Sequence, residues 1–290
     1  MRIDEVRFAG YECIRMRTDF FELMATHSVG PRIIGFRRPS QPNVLVLLPE
    51  TVIERPGGDS FRFIGGHRLW AAPEVPDITY APDDASVDVT IAEGNVTLSA
   101  PLDVSGFEKT MTISAHDSGV SIVHELTNRG PARVAAPWAI TQLVPRGTAL
   151  LPLGGRDSDP YQANTNVVAW PYTDLADPLV RIEADRIEIE ARRIDPIKFG
   201  TTLRRGWLAY RIGGDVFVKH AKTEVDARYP DLGASGQVYA TRSFLELETL
   251  GPLQTLAEGA TATHTETWEL HDVDPSLPVS ALADSLDLDR

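Results

Sequence analysis

Apolar and polar residues alternate one by one through much of this 290-residue chain. That period is the mark of half-buried strands and is incompatible with amphipathic helices. SVDVTIAEG puts Val87, Val89 and Ile91 on one face, and NVTLSAPLDVSG continues with Val96, Leu98, Leu102 and Val104. FEKTMTISA offers Phe107, Met111, Ile113 and Ala115, and GVSIVHELTN keeps Val120, Ile122, His124 and Leu126 in one phase. RIEIEARR alternates Ile187 and Ile189 with glutamates. WLAYRIGGDVFVKH reads as a hairpin, with Gly213, Gly214 and Asp215 between two apolar runs, since glycine tolerates the positive φ of tight turns. Asp117-Ser118-Gly119 and Asn128-Arg129-Gly130 mark further turns. Many strands joined by short turns predict an all-β fold, a large antiparallel β-sandwich. No linker or repeat divides the chain, so residues 1–290 are expected to form one domain. A tail or short helix is expected over 275–290, with Ser280 as a candidate cap. The least patterned stretch, Arg156 to Pro178, carries Tyr161, Trp170 and Tyr172 and is expected to be a long loop over one edge.

Composition narrows the function classes. Hydrophobic residues make up 42% and charged residues 24%, ordinary for a globular protein, and a chain of this length buries roughly three quarters of its unfolded surface. The net charge of −13 repels phosphate backbones and anionic lipid. No basic stripe interleaved with aromatics offsets it, so no nucleic-acid partner is expected. Neutral ligands such as sugars are compatible with that charge. Cys13 is the one cysteine, so no intrachain disulfide can form, which fits a reducing compartment. The opening MRIDEVRFAGYECIRM lacks the apolar stretch of a signal peptide. No run approaches the ~18 apolar residues that span a membrane. A cytoplasmic location is therefore expected. The chain has no phosphate-cradling glycine loop with lysine, no HExxH and no GxSxG, and DSDPYQANTN does not meet the calcium-loop spacing. No metal and no cofactor is expected.

The segment FLELETLGPLQTLAEGATATHTETWEL, residues 244–270, is the most informative for chemistry. On a strand, Leu245 and Leu247 point one way and Glu246 and Glu248 the other. That face is either a plain wetted acidic surface or a pair of carboxylates whose repulsion raises one pKa and suits it to proton transfer. The same run resembles the closing segment of the aldose 1-epimerases (galactose mutarotases). Glu248-Thr249 matches the family's Leu-Glu-Thr motif, and Leu256-Ala257-Glu258-Gly259 matches its turn, with Glu258 where proline is usual. FELMATHSVGPRIIGFRRP resembles the early hairpin with its Gly30-Pro31-Arg32-Ile33 turn, and FIGGHRLWAAPE resembles the region of the sugar-binding arginine, here Arg68.

The resemblance covers most of the chain and implies a galactose-mutarotase-like supersandwich acting on a small-molecule carbohydrate, with Glu248 as base. It also implies a histidine just after the strand that ends in Asn128. PWAITQL has none, and Thr141 or Gln142 stands in its place. Opening a sugar ring needs a base at the anomeric hydroxyl and an acid at the ring oxygen. His67, His124 or a lysine would have to supply the acid. His67 is the choice because it follows Gly65-Gly66 in a polar turn beside Arg68, while His124 shares phase with core residues. Arg68 and Gln142 are the candidates for binding hydroxyls, and Trp70 and Trp207, with Trp138, for stacking on the sugar. Each of these side chains could equally serve packing or a salt bridge. Three functions stay open: an epimerase-like isomerase, a non-catalytic carbohydrate-binding or sensing protein, and a lyase or hydrolase, which would need Tyr161, Tyr172 or Glu246 near a cleft. Oligomeric state is not legible.

Overall fold

A computed structural model describes residues 1–55, 60–116, 118–155, 159 and 161–289. Two large sheets, of eleven and ten strands, dominate it, and a two-stranded hairpin, Leu47–Glu54 with Ser60–Gly65, stands apart. All the pairings of neighbouring strands are antiparallel. In the first sheet His67–Ala72 pairs with Arg133–Leu143, then follow Leu245–Leu250, Gly236–Ala240 and Ile197–Thr201. In the second, Trp207–Ile212, Asp215–Ala221, Thr261–Asp272, Gly119–Asn128 and Phe107–Ala115 lie side by side.

The expected alternation is what fills the space between the sheets. Val96, Leu98, Met111, Ile113, Val120, Ile122, Ile187 and Ile189 join Leu245, Leu247, Phe36, Phe217 and Trp268 in the main buried cluster. Each such side chain contributes about 1.5–3 kcal/mol on leaving water. The Gly213-Gly214 turn closes the expected hairpin, with Ile212 opposite Asp215. Leu102 and Val104 do not extend the strand as expected: it ends at Ser99, and both side chains are exposed. Pro101 explains the break, because it has no N–H to give a ladder. Ile91, on the edge strand Asp88–Ala92, is exposed too.

Arg156 and Asp117, at the ends of two expected loops, and most of the DSDP run lie outside the described residues. The rest of the 156–178 stretch carries only the two-residue strand Val168–Ala169, which pairs with Gly200 and Phe199. At the C-terminus a 3-10 turn, Val279–Ala281, leads into a helical turn, Leu282–Ser285. Ser280 caps neither: it lies within the 3-10 turn, and Pro278 and Ala281 precede the two turns without a side-chain cap. Among the described residues no helix is long and apolar enough to cross a membrane.

Candidate active site

The outer face of the first sheet is where the carboxylates converge. Strand register puts Lys198 opposite Tyr239, Tyr239 opposite Glu246, and Glu246 opposite Gln142. One side-chain row therefore crosses four strands. Beside it Glu248 and Arg68 both lie opposite Ile140, and Trp138 lies opposite Trp70. A cleft of about 410 Å³ opens over this floor, walled by Ile53 and Phe63 of the hairpin and by Tyr80, Tyr172 and Phe244. That size suits a small ligand, and the lining mixes aromatic rings with a few polar groups.

Arg68 is fully buried against the rings of Trp70, 4.1 Å from its centroid, and Phe63, 5.1 Å away. Its Nη2 donates to Glu246 Oε1 at 3.3 Å, and Gln142 Nε2 donates to the same oxygen at 2.9 Å. Burial brings the guanidinium down to about 10, partly offset by Glu246. Glu246 lines the cleft. Burial, and then the neighbouring Glu248 carboxylate, push it up to about 7, against the pull of Arg68 and Lys198. Tyr239 and Tyr172 also face the cleft, and burial raises both phenols, Tyr239 to about 12, so they stay protonated donors. Tyr80 donates to Glu74 at the rim at 2.5 Å.

Glu248 sits one layer deeper. It is fully buried, and its Oε2 accepts from Trp138 Nε1 at 2.7 Å and Lys198 Nζ at 2.8 Å. The lysine ammonium lies between the rings of Trp138 and Trp170, 4.8 and 4.7 Å from their centroids. Several buried polar atoms here have no partner among the described residues: Arg68 Nε and Nη1, Trp70 Nε1, Gln142 Oε1 and Glu248 Oε1. Such orphans cost free energy and are rare away from functional sites.

The structure brings Glu248, Arg68, Trp70 and Gln142 onto one face, although only Arg68 and Trp70 line the cleft itself. Gln142 is fully buried behind Glu246. His67 is not in a polar turn. It opens the strand His67–Ala72 and points to the opposite face of the sheet from Arg68, into the space between the sheets. There its Nδ1 meets Thr141 Oγ1 at 2.9 Å and its Nε2 meets His124 Nε2 at 3.1 Å. Burial drives the imidazole well below its usual pKa. The expected pairing of His67 with Glu248 is thus not formed, because one residue step along a strand reverses the face. Trp207 lies in the other sheet, packed with Leu150, Val216 and Leu282, its Nε1 donating to Asp289 Oδ1 at 2.9 Å. Sequence reasoning overlooked Lys198, Tyr239 and Glu74. The available signal for Lys198 was a lone lysine between apolar residues in IKFGT.

No family model matches the chain, and no curated protein matches it in sequence. Solved structures do. A galactose mutarotase-like protein from Lactobacillus casei superposes with a TM-score of 0.58 at 12% identity, over 89% of this chain and 100% of that one. A galactose 1-epimerase from Lactobacillus acidophilus covers 94% of this chain and 99% of its own at a TM-score of 0.50 and 9% identity. A TPR-domain containing protein from Parabacteroides distasonis matches 94% of this chain with 49% of its own length, at a TM-score of 0.59 and 14% identity. The chain has the galactose mutarotase-like fold.

Proposed function

We propose that the cleft binds a small carbohydrate and that Glu246 exchanges protons with it, opening and reclosing a cyclic hemiacetal as an aldose 1-epimerase does. The observation that carries this reading is the place of Glu246: its carboxyl lines the cleft on the same strand face as Glu248 and opposite the Tyr239 phenol, and burial with that second carboxylate raises it to about 7. At neutral pH such a group is populated in both forms and can take a proton and return it. The step needs a base at the anomeric hydroxyl and an acid at the ring oxygen. Glu246 as carboxylate takes the hydroxyl proton, and the protonated phenols of Tyr239 or Tyr172, or the ammonium of Lys198, face it as donors. The C–O ring bond breaks, the carbonyl carbon rotates, and reclosure on the other face returns both protons. The more exposed ring of Tyr172, with the edges of Trp70 and Trp138 in the cleft lining, offers apolar surface for the sugar's C–H face. Glu248, which the sequence motif marks as the base, keeps a supporting role in this reading: held by Trp138 and Lys198, its charge raises Glu246.

A second reading, binding without turnover, is favoured by one observation: among the described residues no imidazole lines the cleft. Exchange NMR of α- and β-anomers across a panel of hexoses and pentoses tests both. Faster interconversion than buffer, reduced about a hundredfold or more in Glu246→Gln, supports the enzyme. Saturation-transfer signals with buffer-rate interconversion support the binder. Neither binding nor turnover across the panel sinks both.

A further inference from the structure

Behind the cleft floor, in the space between the sheets, lies a polar cluster that the proposed chemistry does not use. His67 enters from the first sheet, and His124 and Glu266 from neighbouring strands of the second. All three are fully buried. His67 Nε2 and His124 Nε2 stand 3.1 Å apart, and each faces Glu266 Oε2, at 3.7 and 3.5 Å. Two lone-pair nitrogens at that distance repel. The contact is therefore a single N–H···N hydrogen bond, an arrangement in which one ring gives its N–H to Glu266 Oε2, or two lone pairs aimed at a shared cation.

The triangle distinguishes itself by its size. Ligands about 2.0–2.1 Å from a tetrahedral zinc stand roughly 3.3–3.4 Å from one another. The three edges here bracket that spacing, and two imidazoles with one carboxylate are a donor set zinc accepts. The surroundings fit ligands held in place by a second layer of contacts. His67 Nδ1 is tied to Thr141 Oγ1, and Lys219 Nζ holds the other oxygen of Glu266 at 2.7 Å. Trp268 Nε1 steadies Oε2 from 3.2 Å. His124 Nδ1 has no partner among the described residues.

We propose that His67, His124 and Glu266 form an internal site for a zinc-class divalent cation that ties the two sheets together. The site has no opening to solvent, so the ion enters as the chain folds. This inference is independent of the sugar reading.

Unfolding the full chain in guanidinium with a chelator, removing both, and refolding with or without one equivalent of zinc provides the test. The proposal expects about one zinc per chain retained through gel filtration and a Tm raised by about 5 °C or more. Cobalt refolded in its place should show the intense visible bands of a tetrahedral site. His124→Leu should abolish retention, while His271→Ala, at the surface pair with Glu269, should leave it unchanged. Failure to retain zinc, or equal retention by His124→Leu, overturns the site. If His124→Leu does not fold, the cobalt spectrum of the wild-type chain decides, and its absence overturns the proposal.

Discussion

Glu246 and Glu248 are two residues apart, share a face, and still have different environments. Glu246 borders the cleft, shares Arg68 and Gln142, and is raised to about 7. Glu248 is closed in by an indole and an ammonium. The consequence for stability has a definite sign. A carboxyl with its folded pKa above its unfolded value binds more protons folded than unfolded across that interval. It therefore makes the protein lose stability as pH rises from about 4.5 to about 7. Glu246→Gln should flatten that part of the stability–pH curve, measured by urea unfolding at several pH values. An unchanged slope would show that Glu246 ionises normally. The Lys198–Glu248 pair makes a second prediction. Removing one member of a buried pair leaves the other charge uncompensated. Lys198→Met should cost about 3 kcal/mol, and adding Glu248→Gln should recover part of it. A double-mutant cycle in urea reads the coupling, and additive losses would refute it.

Strand alternation made most elements legible. Val120, Ile122, His124 and Leu126 all face the interior, as their phase requires. The same rule separates Leu245 and Leu247 from the two glutamates. It would also have separated His67 from Arg68, had the segment after Gly65-Gly66 been read as a strand. Reading it as a turn hid the alternation. Those glycines do mark a tight passage. Gly66 has φ +73, and a Cβ there would lie 2.2 Å from the carbonyl oxygen of Ile33. Gly65, at φ +93, would meet Val46 O at 2.2 Å. Gly66→Ala is expected to cost about 2 kcal/mol or more, from strain and backbone displacement together. Since this passage leads into the strand that carries Arg68, the sugar binding proposed for the cleft should weaken alongside the fall in Tm. A variant with wild-type Tm would show that the strand shifts freely.

Across the whole molecule, each large sheet has an outer face to cover. The hairpin and the 161–178 stretch cover part of the first, leaving the cleft between them. The C-terminal turns cover part of the second, where Leu282 and Leu288 pack on Leu150, Trp207, Val216 and Val218. Leu282 is fully buried, so Leu282→Ala should cost about 2–4 kcal/mol in thermal or urea unfolding. A loss below about 1 kcal/mol would mean that this segment is not docked in solution. Trp207 belongs to this contact rather than to the cleft, and nothing in RRGWLAY distinguished the two, because indoles serve packing and ligand stacking with the same chemistry.

Local pattern by itself determined the β class, the phase of most strands, the hairpin at Gly213-Gly214 and the shared face of Glu246 and Glu248, since a period of two depends only on neighbours in the chain. Tertiary structure alone decided which carboxylate borders the cleft, that Lys198 and Trp138 close over the other, and that His67 meets His124 and Glu266. Those outcomes depend on strand order and register across the sheets, which bring together residues as far apart as 67 and 266. A sequence read segment by segment carries no record of which distant strands become neighbours.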